Sequence, residues 1–240
     1  MRIGNALAIP KKETMHEASK TNKLRPPHFT ATYLSGRVLD IGAGPDLVCP
    51  HALAFDQEHG DANKIDEYFE VESFDTVHSS HSLEHMLDPV QALHSWWWLV
   101  KPGGFLIVVV PDEYLYEQNM WPSFFSPEHY SSFRLHKEAG ATPVSFDIGQ
   151  LCRGLPHANV ISEEVQDYGY AYDLIWPGNR TPKRPHKRLR LINSILKRTL
   201  AFNHPIRHRF HKWLVVHGYP VDQLVGHALA QIEVVVQKTA

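Results

Sequence analysis

Cysteine is scarce in this chain. Cys49 and Cys152 are the only two among 240 residues, far apart and outside any Cys-x-x-Cys or Cys/His spacing. That excludes a zinc framework and a disulfide scaffold, and a reducing, cytoplasmic setting is the expectation. Long apolar runs are missing as well. A membrane span needs roughly 18 or more consecutive apolar residues, whereas the longest clean run is Phe105 to Val110. Ala6-Leu7-Ala8-Ile9 is too short for a signal-peptide core and leads straight into Pro10-Lys11-Lys12-Glu13, so export is not expected. Nor is there an excess of charge, since 24 Lys and Arg face 26 Asp and Glu. At 43% hydrophobic and 21% charged, the composition is that of a globular protein whose core needs no covalent staple.

The even balance hides one further absence. From Arg180 to Lys212 there is no Asp or Glu but eleven Lys and Arg, leaving 13 basic residues against 26 acidic ones elsewhere. An acidic body with one basic segment implies a separate location or partner for that segment. Three readings stand: a solvated face folded against the body, a nucleic-acid contact, and a peripheral contact with an anionic membrane. The last follows from Arg188 to Arg198, which has the pattern of a basic amphipathic helix. Pro177, Pro182, Pro185 and Pro205 interrupt the stretch and predict a partly helical insertion over about residues 176–225 within one domain of residues 27–240. Residues 1–26, polar and without a clear period, read as an extended N-terminal arm.

Strands are predicted at Arg37 to Gly42, His51 to Phe55 and Phe74 to Ser79. Asp88-Pro89 then supplies an N-cap and a first-turn proline, with Val90, Leu93, Trp97 and Val100 at helical spacing, and Lys101-Pro102-Gly103-Gly104 ends that helix. Trp96-Trp97-Trp98 covers nearly a full turn and predicts core plus one exposed edge. Phe105 to Val110 is apolar on both faces, as in a central strand of a parallel sheet. A helix from Thr142-Pro143 to about Arg153, a strand over His157 to Gln166 and a closing strand over Ala230 to Val236 complete an α/β fold with a mainly parallel sheet.

In such a sheet, ligands bind beyond the carboxyl ends of the strands. Beyond the first stands Asp40-Ile41-Gly42-Ala43-Gly44-Pro45-Asp46, where two glycines let backbone approach a ligand closely. Leu47 replaces the third glycine of the dinucleotide fingerprint. Asp56 closes the second strand, Gly60-Asp61-Ala62 follows, and Phe74-Asp75-Thr76-Val77-His78-Ser79-Ser80-His81-Ser82-Leu83-Glu84-His85 leads to Asp88-Pro89 and the Lys-Pro-Gly-Gly turn. In this order the segments resemble the class I S-adenosylmethionine-dependent methyltransferases, in their small-molecule, type 11-like branch. The resemblance implies a Rossmann-like, mainly parallel sheet with helices on both faces and an antiparallel closing strand, with S-adenosyl-L-methionine as cofactor. It implies that Gly42, Ala43 and Gly44 lie under the methionine part, and that Asp40 orients that loop or meets the ammonium through water. Asp56, with Gln57 beside it, would accept hydrogen bonds from both ribose hydroxyls. Asp61 and Ala62 would meet the adenine, and Ser80 and His81 would face the sulfonium. The chain departs from the family between Asp56 and Gly60, where only Gln57, Glu58 and His59 stand in place of a helix and a strand.

Methyl transfer from a sulfonium is an in-line displacement, so positioning supplies most of the acceleration and a base is needed only for a hydroxyl or a protonated amine. His81, at a strand's carboxyl end, is the first choice of base, with packing against the cofactor as the alternative. Glu113 and His129, in the aromatic and acidic stretch after Val110, come next. His85 is expected to buttress its turn. A metal site from His78, His81 and His85 is not expected, for want of a carboxylate or cysteine partner. The acceptor is expected to be a small or carbohydrate-like molecule, a sugar or a phenol, methylated on oxygen or nitrogen. An RNA methyltransferase gripping phosphates with the basic insertion and a non-catalytic, methyltransferase-like interaction protein are the alternatives.

Overall fold

The computed structural model describes residues 17–138, 142–201, 203–224 and 228–239. The reading of residues 1–26 as an extended arm falls, up to residue 16, outside the described residues. From there the chain is helical and docked. Helix α1 (Glu17–Asn22) is tied down by Ser19 N–H donating to Asp46 Oδ2 (2.8 Å) and Asn22 Nδ2 donating to the Val48 carbonyl (2.9 Å). Helix α2 (Phe29–Tyr33) follows.

Strands β1 (Val38–Ile41), β2 (Leu53–Phe55) and β3 (Phe74–Ser80), then helix α3 (Pro89–Trp98) and strand β4 (Val100–Pro111), form the first half of the sheet. After it come β5 (Ser132–Arg134), β6 (Ser145–Asp147), α4 (Ile148–Arg153), β7 (Ala158–Gln166), α5 (Lys187–Thr199), α6 (Pro205–Val216) and β8 (Gln231–Lys238). The six-stranded sheet runs β2-β1-β3-β4-β8-β7. β8 is antiparallel to both its neighbours, and the pairs among β1 to β4 are parallel. β5 and β6 pair separately. Only a 3-10 segment, Ala62–Glu67, stands between β2 and β3, so β2 is the edge of the sheet on that side.

Alternation along the strands sets two buried faces. Leu39, Ile41, Val77, Leu106, Val108, Ile232 and Val234 pack with Trp96, Trp97 and Cys152 on one side, while Val38, Ile107 and Val235 pack with Phe29 and Leu34 on the other. Trp96 and Trp97 are fully buried and Trp98 is 47% exposed. Their indole N–H groups donate to the carbonyls of Ala62 (3.1 Å) and Pro156 (2.9 Å). The second face also carries a polar chain. His78 Nδ1 donates to Asp40 Oδ1 (2.7 Å), and Arg25, which stacks on Phe29, forms a buried ion pair with Glu233.

Two expected boundaries move. The Lys101 to Gly104 turn lies inside β4: Phe74 pairs with Val100 and Thr76 with Phe105, so the turn is a bulge that Lys101 pins to Asp75 (2.8 Å). The helix expected from Thr142 begins only at Ile148, because Ser145 and Phe146 pair with Ser132 and Phe133 and Asp147 then caps Gln150 N (2.9 Å). Asp88 caps α3 as expected, accepting from Val90 N and Gln91 N at 3.0 Å.

The basic stretch lies between β7 and β8 and has a small core of its own, Trp176, Leu189, Leu214 and Val221 packed on Met120. Within it His211 is buried and donates through Nε2 to Asn193 Oδ1 (3.0 Å). Burial, with nearby Arg207, His208 and Lys197, pushes its pKa down from 6.5 to about 4. Between those two values the unfolded chain binds a proton that the folded chain excludes, so stability is lost as pH falls through that window, by about 3 kcal/mol in all. Denaturant titrations at pH 7 and pH 4.5 are expected to show His211→Gln losing roughly 2–3 kcal/mol less than the wild type. Equal losses would contradict this assignment.

Candidate active site

A cavity of about 690 Å³ opens beyond the carboxyl ends of β1, β2 and β3. It falls within the roughly 300–1,000 Å³ of ordinary small-molecule sites. Of the residues singled out in the sequence, Gly42, Asp56, Gln57, Asp61, Ala62 and His81 line it.

The glycine loop is held from both ends. Asp40 is buried, and its Oδ2 accepts from Val48 N (2.7 Å), so it orients the loop from below and does not reach the cavity. Gly42 has φ +73°, and a Cβ there would lie 1.7 Å from Ser82 Oγ. Gly44 N donates to Asp56 Oδ2 (2.8 Å) and Gln57 N to Asp56 Oδ1 (2.7 Å). Asp56 Oδ2 thus binds the loop, Oδ1 holds the backbone of the next residue, and each oxygen keeps a second acceptor position. Ala43 and Gly44, expected with Gly42 under the methionine part, do not line the cavity.

The shortened segment after β2 still reaches the cavity. Asp61 caps the 3-10 segment by accepting from Asn63 N (2.9 Å) and Asn63 Nδ2 (2.8 Å), and these hydrogen bonds lower its pKa. Asn63, which the sequence reading missed, lines the cavity and accepts from Leu87 N (3.0 Å).

Three expectations need correction. Ser80 is off the cavity wall: it ends β3, paired with Val109, and the left-handed turn at His81 (φ 53°) brings His81 and Ser82 to the wall instead. Glu113 is buried, and its Oε2 accepts from Ser132 Oγ (2.9 Å) and Ser145 Oγ, which fixes it between β5 and β6, away from the cavity. His129 is also off the wall, buried with Nδ1 donating to Glu117 Oε1 (2.6 Å). Burial opposes its charging, but the hydrogen bond to Glu117 and the charges of Glu84, Glu117 and Glu128 outweigh it and raise its pKa above 6.5.

His81 remains. Its Nε2 lies 3.0 Å from Gln231 Oε1, while the amide nitrogen of Gln231 donates to Thr21 and Gln166 and so keeps that oxygen an acceptor. His81 therefore donates from Nε2 and leaves Nδ1 as the basic nitrogen, 3.7 Å from Glu84 Oε1. Glu84 belongs to the Phe74 to His85 motif, but nothing in the sequence gives it a role, since it is one acid among 26. The chain after β4 contributes Glu128 and Tyr130 to the cavity wall.

A parallel sheet with a cavity across the carboxyl ends of its first strands, floored by a glycine loop and edged by an acid at the end of β2, defines a nucleotide-cofactor α/β domain. The sequence family described as a methyltransferase domain matches residues 12–139, and the chain belongs to it. No curated protein matches. A protein of Bacillus halodurans assigned as a methyltransferase has the same fold at 12% identity and a TM-score of 0.50, over 93% of this chain and 99% of its own. The YcgJ protein of Bacillus subtilis is 15% identical with a TM-score of 0.49, over 94% of this chain and all of its own. A SAM-dependent methyltransferase from Archaeoglobus fulgidus is 14% identical with a TM-score of 0.46, over 93% of this chain and 94% of its own. The fold is that of the class I S-adenosylmethionine-dependent methyltransferases, and S-adenosylmethionine is the cofactor that the family implies.

Proposed function

We propose that this methyltransferase transfers the methyl group of S-adenosylmethionine to a hydroxyl oxygen of a small acceptor, a phenol or a sugar. The residues present suit that cofactor: Gly42, with Ser82 packed against it, presents bare backbone to the cavity, and Asp56 keeps two acceptor positions for vicinal hydroxyls. Gly42 to Gly44 would hold the methionine part, Asp56 and Gln57 the ribose, and Asp61 and Ala62 the adenine. When bound, the cofactor supplies an electrophilic methyl group. The observation that carries the oxygen acceptor is His81, a cavity-wall imidazole whose basic Nδ1 faces the buried carboxylate of Glu84 at 3.7 Å. A proton taken from a hydroxyl at Nδ1 is stabilised by that carboxylate. Incubation with methyl-labelled S-adenosylmethionine and a panel of phenols and sugars tests the reading. Label in an ether product is expected, and label only in amines would refute the oxygen acceptor.

The basic insertion adds a location. α5 exposes Leu191 (62%), Ile192 (43%) and Ile195 (53%) along one stripe, with Lys187, Arg188, Arg190 and Arg198 exposed on the same helix. Basic residues around an aliphatic stripe suit an anionic lipid surface better than a nucleic-acid backbone, which has no use for the aliphatic side chains. No helix among the described residues is long and apolar enough to cross a membrane. Each basic residue at such a surface is worth about 1 kcal/mol. Replacing Arg188 and Arg190 by Gln should thus lower partitioning onto phosphatidylglycerol vesicles roughly thirtyfold. Binding to neutral phosphatidylcholine vesicles alone, or steeply salt-dependent RNA binding that ignores Leu191→Asn and Ile195→Asn, would overturn the membrane reading.

A further inference from the structure

Beside the cavity the fold assembles a set of donors, Glu84, His85 and His129, of which the proposed reaction uses only Glu84. Glu84 is 1% exposed, and neither of its carboxylate oxygens has a hydrogen-bond partner. Leaving a buried carboxylate so costs several kcal/mol unless a positive charge meets it. Among the described residues its ion-pair partners are all imidazoles: His85 Nε2 at 4.0 Å, His129 Nε2 at 3.9 Å and His81 Nδ1 at 3.7 Å. One donor atom from each of Glu84, His85 and His129 lies within 4.8 Å of the others.

The outer partners of these imidazoles are those of metal ligands. His129 Nδ1 donates to the carboxylate of Glu117 (2.6 Å), and His85 Nδ1 to the Glu128 carbonyl (3.1 Å). Each bond fixes the tautomer with its Nε2 lone pair turned toward Glu84, as in the carboxylate–histidine–metal arrangement. Glu117 is itself 1% exposed, so the cluster holds two buried carboxylates, a charge that one divalent cation neutralises. The backbone holds the cluster together as well: Tyr130 N donates to the Glu84 carbonyl (2.8 Å), bringing the 128–131 loop against the turn after β3.

We propose that Glu84, His85 and His129 bind one divalent transition-metal ion, with Glu117 and the Glu128 carbonyl orienting the two histidines. Two imidazoles and a carboxylate select a borderline ion such as zinc over magnesium or calcium. Bonds of roughly 2.0–2.1 Å place neighbouring ligand atoms about 3.3 Å apart, so the three donors close by no more than about 1.5 Å on binding. His85 lines the cavity, so an ion held by it would be within reach of an acceptor bound there. That last step rests on the proposed methyl transfer, whereas the ion site does not.

Chelator-treated full-length protein titrated with Co²⁺ and followed by visible absorption tests the site. The wild type is expected to take up one equivalent with d–d bands that Zn²⁺ abolishes. Glu84→Gln should weaken uptake at least a hundredfold, and Glu117→Gln, through orientation alone, about 10–100-fold. His85→Gln changes a half-exposed side chain, so it keeps the test valid if a buried variant fails to fold. No d–d bands in the wild type, or uptake unchanged in His85→Gln, would overturn the proposal. Calorimetric titration of the same metal-free protein with S-adenosylhomocysteine separates that outcome from a failure of the methyltransferase reading.

Discussion

His81→Asn is expected to lower kcat for a hydroxyl acceptor by roughly 10²–10⁴-fold, the usual worth of a positioned general base. Asparagine keeps a hydrogen bond to Gln231 within reach and the polarity of the wall, but has no basic nitrogen. The affinity for S-adenosylhomocysteine should stay within about threefold, because the ribose and methionine contacts lie on Asp56 and the glycine loop. A merely structural His81 predicts the reverse pattern, with weakened cofactor binding and little change in kcat at saturation. An unchanged kcat would remove His81 from the chemistry.

Gly42→Ala is expected to disable the cofactor loop. At φ +73° a Cβ costs about 1–2 kcal/mol of backbone strain, and it also falls 1.7 Å from Ser82 Oγ. Ser82 has little room to yield, since its hydroxyl lies 3.3 Å from both the Ile41 and the Ser80 carbonyls. Overpacking of this kind costs a further 1–3 kcal/mol, roughly. Denaturant melts should therefore show about 2–5 kcal/mol of destabilisation, with S-adenosylhomocysteine affinity lowered more than tenfold. Two comparisons isolate the causes. Gly44→Ala, at φ +53° with nothing within 4 Å of its Cβ, should lose only the backbone part. Ser82→Gly combined with Gly42→Ala should recover the steric part. Equal losses in Gly42→Ala and Gly44→Ala would contradict the account.

What was legible in the sequence follows the range of the interactions. The strand cores and the α3 cap depend on residues a few positions apart, so Leu39 and Ile41, Asp88-Pro89 and the Phe105 to Val110 run declared themselves. So did the places of Gly42 and Asp56, which stand just beyond a strand and line the cavity. The errors lie where a distant partner decides. Glu113 looks like a free acid after a strand until Ser132 and Ser145 close on it. The segment around Arg25 reads as an arm until Glu233, 208 positions away, pairs with it. Glu84 and His129 lie far apart in the chain, with no period linking them, and the hydrogen bonds of Tyr130 N and Ser131 N to the Glu84 carbonyl bring them together. The loss of a helix and strand after Asp56 was visible, but not that Asp61 and Ala62 would still reach the cavity wall, which depends on Trp96 holding the Ala62 carbonyl.

Calorimetric titration of the folded protein with S-adenosylhomocysteine, beside Asp56→Ala, tests the proposal that the cavity between Gly42, Asp56 and His81 holds the cofactor. The wild type should bind with micromolar affinity. The variant should lose the charge-assisted ribose contacts, about 1.5–3 kcal/mol or roughly 10–150-fold in Kd. Heat of binding that is absent from the folded wild type, or that is the same in Asp56→Ala, would contradict it.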